Sequence, residues 1–423
     1  MERKNLNTNE LLSTLLGEFY ERSLPTIYRR HVKVPQIPNK IMAVIGMRRT
    51  GKTYFLYQQI QELLKQGINK TAILYLNFED DRLERIDTEY FASLIEEFYK
   101  LYPENHNRTA YFFFDEIQNI DGWPKVLRRF LDTRKTKIWI SGSSAKMLGR
   151  EIATSLRGRC LSIEMWPFDF NEFLESQNFF NTTPLKSPAH QAFLQKHLLD
   201  FINQGGMPET LSLTPLDRRR IHQDYVQVVI LRDIIERYKI KNEELIHTFI
   251  RLLLTYSSCN LSFHKLYLDF KSQGRKIGKN TLYQYMDYIQ DCYLAFTTSI
   301  YTRSIRKQYS NPKKVYLVDT GIARSYQIVT KGNLGQLFEN RVYLDLRRHQ
   351  YEVFYYQTKT GKEVDFLAIS PNGNTYLIQV CWDISSSDTK NRELSALAEA
   401  KKEHKAKGLL VTPNSYLDFL RDL

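Results

Sequence analysis

The 423-residue sequence predicts an α/β protein whose amino-terminal part is built on a parallel β-sheet. The apolar run Ile41–Ile45 leads into a glycine-containing loop and then into a helical pattern with Leu56, Ile60 and Leu63 on one face. Beyond this helix, short apolar runs alternate with helical patterns, which is typical of parallel strands covered by helices. These runs are residues 71–78, 110–114, 137–140 and 161–165.

The loop after the first run, residues 46–53, has the complete phosphate-binding pattern G-x-x-x-x-G-K-[ST]. Gly46 and Gly51 let the backbone curl so that successive N–H groups point at phosphate oxygens, and the next helix directs its positive dipole end at the same point. Lys52 is expected to reach the β- and γ-phosphates, and the Thr53 hydroxyl to bind Mg²⁺. The predicted nucleotide-binding residues are Gly46, Met47, Arg48, Arg49, Thr50, Gly51, Lys52, Thr53 and Tyr54.

The apolar run at 110–114 ends in Asp115-Glu116. A buried parallel strand delivers carboxylates to the carboxyl edge of its sheet, where phosphate loops also lie. We expect Asp115 to hold Mg²⁺ through water and Glu116 to orient and polarise the attacking water. An ordinary strand end is the alternative, and the surrounding α/β pattern disfavours it.

The strand at 137–140 is followed by Ser141-Gly-Ser143-Ser144. Ser141 and Ser143 are both predicted to sense the γ-phosphate or the attacking water, without a ranking between them. The alternative is a helix N-cap before the helical stretch 145–148. Arg157 and Arg159 precede the fifth strand. Either can stabilise transition-state charge on a neighbouring subunit or domain, and the alternatives are a solvated arginine or a phosphate contact in cis.

In this order the motifs resemble prokaryotic AAA-type (AAA+) ATPases in which the ATPase core is fused to a restriction-endonuclease-like C-terminal region. Two further segments, residues 166–173 and 205–208, contribute to the resemblance, which covers essentially the whole chain. It implies an AAA+ core with a helical lid after about residue 170 and leaves homo-oligomerisation as an option. ATP rather than GTP follows from it, together with the absence of an Asn-Lys-x-Asp string. The domains expected are 1–170 (ATPase core), 171–240 (helical lid), 241–330 (winged-helix-like) and 331–423 (nuclease-like).

The composition indicates whether the protein has a membrane partner and in which cellular compartment it is expected. No stretch approaches the roughly 18 apolar residues of a membrane span, and the N-terminal segment is too short and too polar for a signal peptide. We therefore expect a cytoplasmic protein without a membrane partner. The cysteines stand singly, so neither a disulfide framework nor a zinc site is indicated and core positions are expected. They are Cys160, Cys259, Cys292 and Cys381.

The formal charge of +13 favours a polyanionic partner such as DNA. Basic residues concentrate between 265 and 314, a stretch that contains ten basic and three acidic residues. Helical patterns at 246–256, 263–270 and 279–293, followed by strands at 293–301 and 314–318, outline a winged helix with a basic loop at 303–314. In one interpretation the third helix enters a major groove and the loop contacts phosphates. In the other, this is a small coupling domain with solvated charges. The candidate DNA contacts are Lys279, Asn280, Thr281, Arg303, Arg306 and Lys307.

The C-terminal pattern, helix, three strands, helix and strand, resembles the PD-(D/E)xK nuclease core. Glu363 and Asp365 lie on the strand that would bind metal, and Glu339 is the corresponding helix carboxylate. The next strand should end in Glu-x-Lys but has Gln379 and Cys381, which provide neither an anionic ligand nor a cation. We therefore expect a retained shape without cleavage, unless Lys390 or Lys402 replaces the missing lysine.

The leading functional hypothesis is Mg²⁺-dependent binding and hydrolysis of ATP, coupled to rearrangement of the C-terminal region on a nucleic-acid or protein partner. A nucleotide-gated DNA-binding regulator with slow hydrolysis is the alternative. A metal-dependent nuclease is disfavoured by Gln379 and Cys381.

Overall fold

The computed structural model describes residues 8–84, 86–143, 156–179, 188–327, 333–385 and 387–423. Contacts divide the chain into two compact units, Met1–Met165 and Trp166–Leu423. The first ends at the last residue of the fifth predicted strand. The segments predicted as lid, winged helix and nuclease-like domain all lie in the second.

The first unit is a five-stranded parallel sheet in the order β2-β3-β4-β1-β5. Every residue of the first and third strands is buried, as expected for parallel strands covered on both faces. Its elements are α1 (Thr8–Glu21), β1 (Ile41–Ile45), α2 (Lys52–Lys65), β2 (Ile73–Asn77), α3 (Thr88–Leu101), β3 (Ala110–Asp115), α4 (Trp123–Thr133), β4 (Thr136–Gly142) and β5 (Cys160–Glu164). This is the P-loop NTPase fold that the sequence predicts. Because β4 lies between β1 and β3, its carboxyl end lies between the phosphate loop and Asp115.

The second unit begins with helices α5 (Phe170–Ser176), α6 (Pro188–Gln204) and α7 (Pro215–Val228), the last of which continues as a π-helix over Val229–Glu236. A capping box starts α5, in which Asp169 accepts from the Glu172 amide and Glu172 accepts from the Asp169 amide.

Four helices and a small antiparallel sheet follow, with strand order β6-β8-β7. They are α8 (Glu243–Thr255), β6 (Cys259–Leu261), α9 (Phe263–Ser272), α10 (Lys279–Asp291), β7 (Ala295–Thr298), α11 (Ile305–Ser310) and β8 (Lys313–Leu317). The three predicted helices are present. The predicted strand at 293–301 is shorter than expected, and the predicted loop at 303–314 contains α11, which the Ser304 hydroxyl caps through the Lys307 amide.

The chain ends in a mixed α/β arrangement with strand order β12-β11-β10-β9. β9, β10 and β11 are antiparallel, whereas β12 is parallel to β11. The elements are α12 (Thr320–Tyr326), α13 (Asn333–Arg348), β9 (Glu352–Gln357), β10 (Glu363–Ile369), β11 (Thr375–Val380), α14 (Ser387–Glu403), β12 (Lys407–Val411) and α15 (Tyr416–Asp422). In the described part of the chain, no helix combines the length and apolar character needed to cross a membrane.

Candidate active site

The phosphate loop connects β1 to α2 and depends on two glycines. A Cβ on Gly46 would lie 2.2 Å from the Met165 carbonyl oxygen, so any larger residue collides with backbone. Gly51, with φ 94°, is the N-cap of α2 and has the left-handed conformation that favours glycine. Between the glycines, the Thr50 hydroxyl donates to the Met47 carbonyl at 2.9 Å. The loop is therefore shaped by backbone geometry at its ends and by an internal hydrogen bond.

Lys52 begins α2 and lies almost completely buried among the loop carbonyls. Its ammonium donates to the carbonyl oxygens of Gly46 and Met47 at 3.2 Å and lies 3.6 Å from Oε1 of Glu116. The lysine predicted to bind phosphates and the glutamate predicted to orient water thus lie at one place.

Asp115 lies at the end of β3 and is 1% exposed. Burial raises the pKa of its carboxyl to about 6, and the neighbouring Glu116 charge adds to this effect. Hydrogen bonds from the Ser141 and Thr53 hydroxyls oppose the rise in pKa. Thr53 and Asp115, the two predicted metal-binding residues, are therefore in contact with each other.

Glu116 follows the strand in a left-handed conformation, with φ 53° and ψ 47°. Such backbone angles are costly for residues other than glycine and concentrate at functional sites. Its amide donates to Ser141 Oγ at 2.9 Å, and the Gln118 side-chain amide donates to its carboxylate. The carboxylate is thus held in a defined position beside Lys52.

Ser141, near the end of β4, links the two acidic residues. Its hydroxyl donates to Asp115 Oδ1 and accepts from the Glu116 amide. Ser141 therefore contacts both acidic residues, which the sequence did not predict. Ser143 is buried at the same edge. Ser144 and the stretch 145–148, on which the N-cap alternative depends, lie outside the described residues.

Arg157 and Arg159 lie at the opposite edge of the sheet. The Arg159 carbonyl accepts from the amide of Ile41, the first residue of β1, whereas the phosphate loop follows the last residue of that strand. The Arg159 guanidinium forms an ion pair with Asp132, and Arg157 is exposed with φ 46°. This position disfavours a phosphate contact in cis for either arginine, and a role in trans stays a prediction.

Two side-chain contacts near the phosphate loop are not predicted by any sequence motif. Arg30, only 4% exposed, donates through Nη1 to the Thr50 carbonyl at 2.7 Å, and its backbone amide donates to Gln58 Oε1 at 2.8 Å. Arg48 pairs with Glu79 at 2.8 Å. Arg30 lies in an irregular segment before β1, so neither periodicity nor a known motif marks it. Of the other predicted loop residues, Arg49 has φ 68° and Tyr54 is half exposed.

The predicted DNA contacts are largely accessible. Lys279 and Asn280 at the start of α10 are exposed and Thr281 is half-buried, whereas Arg303, Arg306 and Lys307 on and beside α11 are exposed. The same helix exposes Ile305 (70%) and Tyr309 (71%).

Two lysines counted in the basic stretch are not exposed. Lys313 is half-buried, and burial lowers its pKa. The Lys314 side chain is 4% exposed. The electrostatic footprint expected from the sequence is therefore smaller than the residue count indicated.

The three carboxylates predicted as a degenerate nuclease site surround the buried Lys314. Its ammonium lies 3.0 Å from Glu339 Oε1, 2.7 Å from Glu363 Oε1 and 3.3 Å from Asp365 Oδ1. Although burial alone lowers the pKa of Lys314, these carboxylates raise it above its ordinary value. Burial also raises the pKa of Glu339, against the Lys314 charge.

The other two residues of that predicted site have protein partners. Gln379 accepts from the Asp365 amide at 3.3 Å and donates to Glu393, whereas the Cys381 thiol contacts the Asp383 carbonyl at 3.1 Å. Lys314 was missed because it lies in the preceding antiparallel sheet, far from the nuclease-like motif. Across the described ranges, no group of three or more His, Cys, Asp or Glu side chains is arranged to hold a metal ion.

The parallel sheet, the glycine loop and the buried acidic pair define a P-loop NTPase fold. Residues 38–174 match a family model described as an AAA domain, and residues 195–331 and 334–421 match two domains of unknown function, DUF8612 and DUF4143.

The chain is 35% identical to the uncharacterized protein MJ1544 of Methanocaldococcus jannaschii over 386 residues, which is 90% of this chain and 82% of that protein. It therefore belongs to the same family as that protein. An uncharacterized protein of Haemophilus influenzae is 28% identical, with 89% and 90% of the two chains covered.

The solved structures that resemble this chain have lower sequence identity to it than these two relatives. The Aeropyrum pernix Orc1 protein in complex with DNA has 13% identity and a TM-score of 0.29, with 75% of this chain and 91% of that chain covered. Cdc6p from Pyrobaculum aerophilum has 16% identity and a TM-score of 0.27, with 61% and 80% covered.

Proposed function

We propose that the protein is a Mg²⁺-dependent ATPase that couples hydrolysis to rearrangement of residues 166–423 on a nucleic-acid or protein partner. The observation that carries the proposal is the convergence of Lys52, Thr53, Asp115, Glu116 and Ser141 at one edge of the parallel sheet. These residues come from two strand ends and one helix start.

The donor set at this edge fits Mg²⁺. Thr53 supplies a hydroxyl oxygen and Asp115 a carboxylate, which are ligands that hard divalent cations prefer. Thr53 and Asp115 would hold the ion, which would neutralise charge on the phosphate oxygens when bound. A nearby cation also favours the ionised form of the Asp115 carboxyl, whose pKa burial raises.

The remaining residues have separate roles in the reaction. Lys52 and the amides of the glycine loop bind the phosphates and stabilise the charge that develops on them. Glu116, held by Gln118 and by the Ser141 hydroxyl, orients the attacking water through its carboxylate. Ser141 acts through Asp115 and Glu116 and is therefore a positioning residue.

Substitutions separate binding from turnover. We expect Lys52→Ala to abolish ATP binding, and Glu116→Gln to bind ATP while turnover falls about 100-fold or more. Gln is nearly isosteric with Glu but lacks the negative charge, so the comparison isolates the carboxylate. Fluorescent nucleotide binding and phosphate release measure the two effects. Wild-type turnover in Glu116→Gln would remove the role given to Glu116.

The connection between the units supports coupling. The Met165 amide donates to the Ile45 carbonyl at 2.6 Å, and the Met165 carbonyl packs against Gly46 of the phosphate loop. The next residue, Trp166, packs on Tyr293 and Phe296 within the second unit. A shift of the loop on hydrolysis therefore acts on a peptide whose next side chain is anchored in the other unit.

DNA as the partner is favoured by the basic surface around α10 and α11. The helix and strand order of residues 243–317 supports a winged helix, with α10 as the groove-reading helix and α11 in the wing. DNA affinity measured over a salt series with ATP, ADP or no nucleotide tests this proposal. A DNA affinity that falls steeply as the salt concentration rises, and falls less steeply in the double variant Arg306→Ala/Lys307→Ala, supports phosphate contacts. No salt dependence removes DNA as the partner, and strong nucleotide gating with slow turnover favours the regulator alternative.

For the C-terminal α/β region we propose a binding or architectural role without catalysis. The proposal rests on Gln379 and Cys381, which stand where PD-(D/E)xK chemistry would need an acid and a lysine. Incubation of the protein with Mn²⁺ and plasmid DNA tests this role. Metal-dependent cutting that is lost in Asp365→Ala would overturn it.

A further inference from the structure

A buried lysine lies where three carboxylates from two other elements converge. Glu339 comes from α13, Glu363 and Asp365 come from β10, and Lys314 comes from β8 of the neighbouring antiparallel sheet. The ammonium lies 2.7 to 3.3 Å from one oxygen of each carboxylate. A single ammonium therefore joins residues that are far apart in the chain.

Neutral protein donors also contact the carboxylates. The Tyr316 hydroxyl donates to Glu339 Oε1 at 2.7 Å, and the Val380 amide donates to Asp365 Oδ2 at 2.9 Å. The Asn260 side-chain amide lies 3.4 Å from Glu363 Oε2. These donors offset part of the cost of burying negative charge, and Lys314 is the cation that all three carboxylates share.

We propose that the Lys314 ammonium is a built-in cation that takes the place of a divalent metal among Glu339, Glu363 and Asp365, and that it fixes β8 to the C-terminal sheet. Mg²⁺ lies about 2 Å from its oxygen ligands. A metal ion on the same three oxygens would therefore lie against the ammonium, and the two cations exclude each other. For the same reason, Lys314 does not serve as a nuclease lysine beside a metal in this arrangement. The inference rests on the second unit alone and is independent of the ATPase proposal.

Metal binding tests the first part of the proposal. Mn²⁺ is titrated by electron paramagnetic resonance into the full chain without nucleotide, for wild type, Asp365→Asn, Lys314→Ala and the double variant. Wild type and Asp365→Asn should bind equally. Lys314→Ala should gain a site that the double variant loses. Binding by wild type that Asp365→Asn removes would overturn the proposal, and so would no gain in a Lys314→Ala protein with a native circular dichroism spectrum.

Thermal stability tests the second part, with the adjacent lysine as the matched control. Lys313 lies in the same strand but bonds neutral groups, the Ser299 hydroxyl and the Gln308 carbonyl. Lys314→Met leaves buried carboxylates without their cation, so its Tm should fall on the order of 10 °C. Lys313→Met should lower the Tm much less.

Adding Glu339→Gln, Glu363→Gln and Asp365→Asn to Lys314→Met should recover most of the loss, because no uncompensated charge remains. Equal Tm values for the two lysine variants would overturn the fixing role. Failure of the neutralised variant to recover would overturn the electrostatic cause.

Discussion

Removal of the Ser141 hydroxyl tests how the acidic pair is positioned. In Ser141→Ala, Asp115 loses a donor and the Glu116 amide loses its acceptor. A hydrogen bond to a charged group contributes about 1.5–3 kcal/mol. At roughly 1.4 kcal/mol for each tenfold change in rate, ATP turnover should fall about 10- to 100-fold. ATP affinity should change little, because the phosphate loop itself is unaltered.

The pH profile distinguishes this positioning role from a general loss of structure. The Ser141 hydrogen bond lowers the pKa of Asp115, which burial holds at about 6, so its removal should raise that pKa. Because the ionised carboxylate is the form that binds metal, activity is lost as the pH falls through the pKa. The acid limb of the turnover profile should therefore move to higher pH in Ser141→Ala. Ser141→Thr, which keeps a hydroxyl, should retain the wild-type limb.

Steady-state ATPase assays with saturating ATP and Mg²⁺ provide the measurement. They cover roughly pH 5 to 9, a range that includes the pKa of about 6 of the Asp115 carboxyl. Ser143→Ala is the matched comparison, since Ser143 is a buried serine at the same edge of the sheet. Wild-type turnover in Ser141→Ala together with an unmoved acid limb would refute the reasoning.

Two other substitutions test the support of the phosphate loop. Gly46→Ala should abolish ATP binding because its Cβ would lie 2.2 Å from the Met165 carbonyl oxygen, whereas Gly17→Ala, with nothing within 4 Å, should bind ATP normally. Retained affinity in Gly46→Ala by fluorescent nucleotide titration would contradict the packing argument. Arg30→Ala should lower the free energy of unfolding by about 1–3 kcal/mol, because the buried Thr50 carbonyl loses a charged donor. It should also weaken ATP binding, and chemical denaturation that shows no change would exclude this support.

Local sequence patterns were sufficient for most of the elements and for the phosphate site. The Gly46-to-Thr53 pattern and Asp115-Glu116 each follow an apolar run, and the structure places both at the carboxyl edge of one sheet. The order of helix, three strands, helix and strand predicted for the C-terminal region is also present. Periodicity and glycine chemistry are properties of neighbouring residues, so they can be read before the chain is folded.

Contacts between distant residues depended on the tertiary structure. The strand order that places β4 between β1 and β3 brings Ser141 to Asp115. The parallel pairing of β5 with β1 places the Arg159 carbonyl against the Ile41 amide, at the opposite edge. No local pattern records which strands pair.

By itself, the sequence determined that this protein has a phosphate-loop pattern and an acidic pair on a parallel sheet, because a few adjacent residues specify each of these features. The tertiary structure alone decided that Lys314, counted in the sequence as part of a basic surface, lies buried among Glu339, Glu363 and Asp365. The physical reason is that the sequence shows the charge of each residue separately, whereas burial and ion pairing depend on which segments pack together.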